Sequence, residues 1–245
     1  MLWGMLSHKG KVRQLNEDSC YIKSDDKLNF AVVADGMGGH NAGEIASKIA
    51  IDTVANKLEY PIDPRSFKAA FEKANREVFK YASDNVECFG MGTTLVSVAI
   101  ERENILFANV GDSRAYLLEF NANKFVQVSK DHSLIEELMS KGQLTSDQAA
   151  VYPFRNVITR AIGTAEKIRV DLFEKVWEKE DIILLCSDGL TLHLSDEEIK
   201  NILLIDMHPQ AICKMLIDKT LEKGGKDNIS VVVVKNTDNS RGDLM

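Results

Sequence analysis

The chain has no stretch of 18 consecutive apolar residues, so a conventional membrane-spanning helix is not expected. Its four cysteines, Cys20, Cys88, Cys186 and Cys213, lie far apart, which leaves neither a CxxC redox pair nor a zinc knuckle. The nucleophile elbow GxSxG, the phosphate loop GxxxxGK[ST] and the zinc signature HExxH are all missing. The formal net charge of −7 argues against a broad basic surface for nucleic acid and against stable association with anionic membranes. No internal repeat, low-complexity tract or Pro/Ser-rich linker divides the 245 residues, so one domain over 1–245 is expected. Scattered thiols with no secretory signal point to a reducing cytoplasm.

What is present is a hydrophobic fraction of 44% arranged in short runs. MLWGMLSHKG at the start reads as a first strand. Phe30–Asp35 is an apolar strand that stops at Asp-Gly. Residues 42–58 follow with helical periodicity, Ile45, Ala46, Ile49, Ala50, Thr53 and Val54 sharing one face. Asp63-Pro64 opens a second helix with Phe67, Ala70, Phe71, Ala74, Val78 and Phe79 inward. Residues 93–100, 104–110, 114–118 and 124–128 then read as one antiparallel meander. Residues 133–155 are helical but polar and resemble an inserted flap. Strands return at 169–173 and 182–186. Two helices follow near 195–204 and 209–223, the first with the Ser195/Glu198 spacing of a capping box. A last strand at 229–234 precedes a polar tail from about 236 to 245. The order predicts an α+β fold with helices covering a two-sheet core.

Three apolar strands lead into aspartates: Asp35, Asp112 and Asp188. A fourth aspartate, Asp227, sits just before the last strand. Carboxylates on rigid strand ends suit hard ions such as Mg²⁺ or Mn²⁺, and the Gly36 carbonyl can add a ligand. For any one of them alone turn chemistry is the better explanation, because Asp-Gly is a common turn pair; four such aspartates together favour a metal. In the stretch RQLNED, Arg13 matches a phosphate group through its guanidinium fork, while Glu17 and Asp18 could hold metal-bound waters. A solvated polar turn is the plain alternative. Gly36-Met37-Gly38-Gly39 fits a dinucleotide fingerprint poorly, since Asp35 would face the pyrophosphate and no acidic residue ends a strand about 20 residues on. His40 and His132 read as structural, and Cys186 as a buried thiol.

Taken in order, the stretches GKVRQLNED (10–18), FAVVADGMGGHNAGEIAS (30–47), MGTT (91–94), ANVGDSRAYL (108–117), KDHS (130–133), ITRAIG (158–163), LLCSDGL (184–190) and KDNISVVVV (226–234) resemble the metal-dependent type 2C protein serine/threonine phosphatases, in their compact bacterial branch. The resemblance covers nearly the whole chain. It implies a four-layer α-β-β-α sandwich with two central, mostly antiparallel sheets and a flap subdomain. It also implies a centre of two Mn²⁺ or Mg²⁺ ions: Asp35 bridges them, Gly36 completes one site, and Asp188 and Asp227 complete the other. Asp112 is implied for a third, weaker site, Glu17 and Asp18 for coordinated waters, and Arg13 for the substrate phosphate. Arg13, Asp35 and Asp188 are thus the implied catalytic set. The implied reaction is direct hydrolysis of phosphoserine and phosphothreonine by a metal-activated water. The implied partners are phosphoproteins, among them a cognate serine/threonine kinase, with no nucleic acid, no membrane insertion and a monomeric chain. Met37 replaces the histidine of animal members and leaves the proton donor unassigned. Ser230 stands where threonine is common, and Leu192 where a small polar residue is common. Two rival readings predict other features. A phosphoprotein-binding pseudophosphatase would have lost metal ligands, and a two-metal nuclease would show basic-aromatic interleaving.

Overall fold

The computed structural model describes residues 1–39, 42–150, 152–154 and 157–237, apart from the side chains at 146 and 150. His40, one end of the 133–155 segment and most of the polar tail lie outside the described residues. In chain order the elements are β1 (Leu2–His8), β2 (Asp18–Ser24), β3 (Asn29–Met37), α1 (Ala42–Lys57), α2 (Pro64–Asp84), β4 (Gly92–Thr93), β5 (Leu95–Glu101), β6 (Asn104–Val110), β7 (Arg114–Glu119), β8 (Lys124–Gln127), α3 (Leu134–Ser140), α4 (Ser146–Ala150), β9 (Asp171–Val176), β10 (Ile182–Cys186), α5 (Asp188–Thr191), α6 (Asp196–Leu203), α7 (Pro209–Glu222) and β11 (Ile229–Lys235). The fold is α+β and is built on two sheets.

Sheet I runs β2-β3-β5-β6-β9, with β4 paired to the end of β3, and sheet II runs β1-β11-β10-β7-β8. Every ladder between these strands is antiparallel. The period-2 alternation of side chains explains why the central strands are apolar throughout. On β3, Phe30, Val32 and Ala34 pack against α1 and α2, while Ala31 and Val33 face sheet II. On β11, Ile229, Val231 and Val233 pack against α6 and α7, while Val232 and Val234 face sheet I. Three apolar layers therefore lie between four layers of structure.

Three details differ from the periodicity alone. The stretch 93–128 is two hairpins in different sheets: β5-β6 belongs to sheet I and β7-β8 to sheet II. The chain crosses between the sheets at Gly111, whose φ of +113° admits the turn. Strand β3 does not stop at Asp35, because Gly36 and Met37 pair with Thr93 and Gly92. On α1 the fully buried face is Ala42, Gly43, Ala46, Ser47, Ala50, Ile51 and Val54, while Ile45 and Ile49 only flank it. Small residues face the sheet here because the helix start approaches β3 closely: a Cβ added at Gly36 would collide with the Gly43 carbonyl.

The helix ends obey local rules. Asp63 caps α2 through a reciprocal box with Ser66, and Ser195 caps α6 through the box with Glu198. Helix α3 is capped by Ser133 yet has no buried residue, as expected of a weakly packed insertion.

Candidate metal centre and phosphate site

The acidic residues singled out in the sequence come to one end of the paired sheets. Asp18 and Asp35 are direct partners across the β2–β3 ladder. Asp112 lies at the crossover after β6, and Asp188 opens the short helix α5 directly after β10. Asp227 stands two residues before β11.

Their backbones are held by donors whose roles the sequence did not reveal. The Asp35 N–H donates to Thr94 Oγ1 at 2.9 Å, and Thr93 Oγ1 donates to the Asp35 carbonyl at 2.9 Å. Thr94 Oγ1 and Ser113 Oγ share a hydrogen bond of 2.7 Å, which ties β3 to the turn carrying Asp112. His132 grips the same turn from the other side. Its Nδ1 accepts from the Gly111 N–H at 2.9 Å, and its own N–H donates to the Gly111 carbonyl at 3.0 Å. Nδ1 as acceptor puts the ring proton on Nε2, which lies 3.2 Å from Asp171 Oδ2. Burial, then the nearby Arg160, lowers the His132 pKa and keeps the ring neutral. The structural reading of His132 therefore holds.

Asp18 is 6% exposed. Its Oδ2 accepts from Ser187 Oγ at 2.7 Å, while its Oδ1 is buried with no partner. Glu17 is fixed through its backbone, its carbonyl accepting from Ser47 Oγ at 2.6 Å and from the Gly36 N–H at 3.2 Å. Arg13 reaches Asp227 with two prongs, Nε to Oδ1 at 2.8 Å and Nη2 to Oδ2 at 2.9 Å. That hydrogen bond, more than any other influence, raises the Arg13 pKa.

The electrostatics of this end are frustrated. Burial first, then the charges of Asp18, Asp188, Asp112 and Asp227, push Asp35 well above the carboxylate range. Burial raises Asp18 to about 7. Burial and the Asp188 charge raise Asp112 to about 7, and burial and Asp227 raise Asp188 to about 6. Like charges in a partly dry site cannot all ionise without a compensating cation. Among the described residues, no three histidine, cysteine or acidic side chains form a ready-made metal cage. The donor set nevertheless fits hard divalent ions. It is all oxygen, it holds an orphaned buried carboxylate oxygen on Asp18, and its repulsion is of the kind that bound cations relieve.

A cavity of about 810 Å³ lies at the opposite end of sheet I, lined by Leu28, Tyr60, Ile62, Arg102, Ile105 and Lys175 among others. It contains none of the carboxylates discussed above.

A family model for protein phosphatase 2C matches residues 7–222. The chain belongs to the protein phosphatase 2C family. It is 36% identical over 236 residues to the serine/threonine phosphatase stp of Listeria innocua, which covers 93% of this chain and 92% of that protein. It is 34% identical over 238 residues to the protein phosphatase PhpP of Streptococcus pneumoniae, covering 94% and 95%. Among solved structures, the Mycobacterium tuberculosis serine/threonine phosphatase PstP/Ppp superposes with a TM-score of 0.88 at 32% identity, over 96% of this chain and 98% of that one. The catalytic domain of PstP in complex with two manganese ions superposes with a TM-score of 0.85 at 31% identity, over 96% and 98%. The protein is accordingly a serine/threonine phosphoprotein phosphatase of a metal-dependent family. Among the described residues, no helix is long and apolar enough to cross a membrane.

Proposed function

We propose that this phosphatase hydrolyses phosphoserine and phosphothreonine in proteins by direct attack of water at a binuclear Mn²⁺ or Mg²⁺ centre, opposing a serine/threonine kinase in the cytoplasm. The observation that carries the reading is the convergence of Asp18, Asp112, Asp188 and Asp227 on Asp35, each of them close enough to raise its pKa, beside Arg13. In this reading Asp35, the Gly36 carbonyl, Asp188 and Asp227 would hold the two ions. Asp112 serves a third, weaker site, and Glu17 and Asp18 act through coordinated waters. Bound divalent ions would lower the pKa of water and neutralise phosphoryl oxygens.

The chain's own residues do the rest. The Arg13 fork has Nη1 left over from its pair with Asp227, so it can meet a phosphate oxygen while staying anchored, or exchange Asp227 for the phosphate altogether. Thr94 and Ser113 hold the backbone at Asp35 and the turn that carries Asp112, and Ser187 holds the Asp18 carboxylate, so that little reorganisation is needed as charge develops. Residues 133–155 act as a flap. The lack of any buried residue in α3 supports this role, with the bridge between Ser133 and Ile158 as its root.

The test is a phosphothreonine peptide assay after chelator treatment and addition of Mn²⁺. Activity should return with the ion and be lost in Asp188→Asn. Turnover that ignores the chelator would overturn the proposal. Deleting the flap should impair phosphopeptide turnover more than that of a small aryl phosphate, and equal effects would remove its role.

A further inference from the structure

Residues 9–17 carry Arg13 between β1 and β2 with no ladder of their own. An arginine on such a loop is placed only as well as the loop is. Most of the loop's long-range anchors come from the turn at Gly225–Asn228, more than two hundred residues away in sequence. The Lys11 N–H donates to the Gly225 carbonyl at 2.7 Å. Gly10 lies against the same turn, since a Cβ there would collide with the Asp227 carbonyl.

Asn228 supplies three more ties, beside those of the Gly10 N–H to His8 Nδ1 and of Asn16 Nδ2 to Ser7 Oγ. Its Nδ2 donates to the Lys9 carbonyl at 3.0 Å and to the Leu15 carbonyl at 2.9 Å, and its Oδ1 accepts from the Glu17 N–H at 2.8 Å. The residue is 5% exposed. A carboxamide has two N–H donors, and both are committed here, together with its oxygen. The three tied positions bracket Arg13. The neighbouring Asp227 meanwhile holds the guanidinium. One pair of adjacent residues thus fixes both the main chain and the head group of the same arginine.

We infer that Asn228 is a positioning residue for phosphate recognition, setting where the Arg13 guanidinium stands relative to the carboxylates. The inference rests on the proposal that Arg13 binds the substrate phosphate. Glu17 and Asp18 do not depend on Asn228 alone, because Ser47 and Gly36 hold the Glu17 carbonyl and Ser187 holds Asp18. Loss of Asn228 therefore frees mainly residues 9–15, and phosphate affinity should suffer more than ion affinity.

The experiment uses the full chain with Mn²⁺ and four variants: Asn228→Ala, Asn228→Ser, Arg13→Ala and the Arg13→Ala/Asn228→Ala double. Calorimetry measures inorganic phosphate and Mn²⁺ binding, alongside kcat, KM and the thermal midpoint. Asn228→Ala should weaken phosphate binding and raise KM by about tenfold, the scale on which a small misplacement acts, with Mn²⁺ affinity within about twofold. The double variant should bind phosphate no more weakly than Arg13→Ala, since nothing remains to be positioned. If Asn228→Ala does not fold, Asn228→Ser carries the same comparison with one donor retained. Additive losses, or unchanged phosphate affinity with only a lower thermal midpoint, would overturn the inference. So would an Arg13→Ala variant that binds phosphate normally. Absence of peptide turnover in the unaltered protein, with phosphate binding intact, would count against the proposed reaction and leave this inference standing.

Discussion

Strand β3 begins at Asn29, beside the cavity of about 810 Å³, and reaches Asp35 six residues later, roughly 20 Å along the strand. The two ends of sheet I differ in what they offer a ligand. The cavity end is roomy, and its rim interleaves Asp26, Glu101 and Glu174 with Lys27, Arg102 and Lys175. The carboxylate end gathers mostly acidic side chains beside Arg13, with a buried Asp18 oxygen that has no partner among the described residues and carboxyl pKa values pushed up. Open volume is a common guide to function, but the chemistry proposed here lies where the fold tolerates unfavourable electrostatics. Such strain persists only where the surrounding structure imposes it.

The sharpest way to break this contrast is Asp35→Asn. Hydrolysis should fall on the order of a thousandfold, the scale of losing a preorganised electrostatic group. The thermal midpoint of chelator-treated protein should rise at neutral pH, because the amide removes a group that ionises freely when unfolded but whose charged form is disfavoured by burial and by neighbouring carboxylates when folded. A lower midpoint would mean that Asp35 is a structural residue.

Gly36→Ala comes next. The new Cβ must push α1 away from β3, at a cost of about 1–3 kcal/mol, and chemical denaturation would measure it. Ser187→Ala should cost a comparable amount, about 1.5–3 kcal/mol, by removing a 2.7 Å donor to the buried Asp18 carboxylate, whose Oδ1 has no hydrogen-bond partner among the described residues.

A smaller, graded effect should follow pH. Asp18, Asp112 and Asp188 have folded pKa values of about 7, 7 and 6, all above the ordinary aspartate value. Each binds its proton more tightly folded than unfolded. Their contribution to stability is therefore fully present below about pH 4 and is lost as pH rises through about 6 to 7. The thermal midpoint of metal-free protein should fall by several degrees across that window, and Asp112→Asn should flatten the slope. A rising midpoint would show that the carboxylates are not repelling one another.

The smallest effect belongs to the cavity end. Tyr60→Ala should change stability by less than about 1 kcal/mol and leave aryl phosphate hydrolysis unaltered, since its ring is exposed and its hydroxyl donates to the exposed Glu101. A large loss of activity would join the two ends functionally.

Much of the fold was readable from local pattern. β6 and β10 occupy the predicted spans, α1 and α7 differ by a residue at one end, and the capping box at Ser195 is present. These features depend on periodicity and end chemistry within one segment. The meander was misread because four short apolar strands look alike whichever sheet they enter. The turn at Gly111 assigns β7 and β8 to the second sheet, and that outcome depends on packing against distant strands. The inward face of α1 is centred on Ala46, Ala50 and Val54 as the periodicity predicts, but it is rotated so that Ile45 and Ile49 only flank it, because close approach at Gly36 and Gly43 demands small residues at the start of the helix.

By itself the sequence determined the strands and helices, the apolar character of strands buried on both faces, the family through eight ordered stretches, and the residue types able to bind ions and phosphate. Only the tertiary structure decided that carboxylates from residues 18 to 227 share one end of two sheets. It also decided that Thr94, Ser187, His132 and Asn228 hold the chain around them. The physical reason is range. Periodicity and capping act over a few residues, whereas hydrogen bonds such as that of Asn228 to Lys9 join positions 219 residues apart and exist only once the sheets have packed.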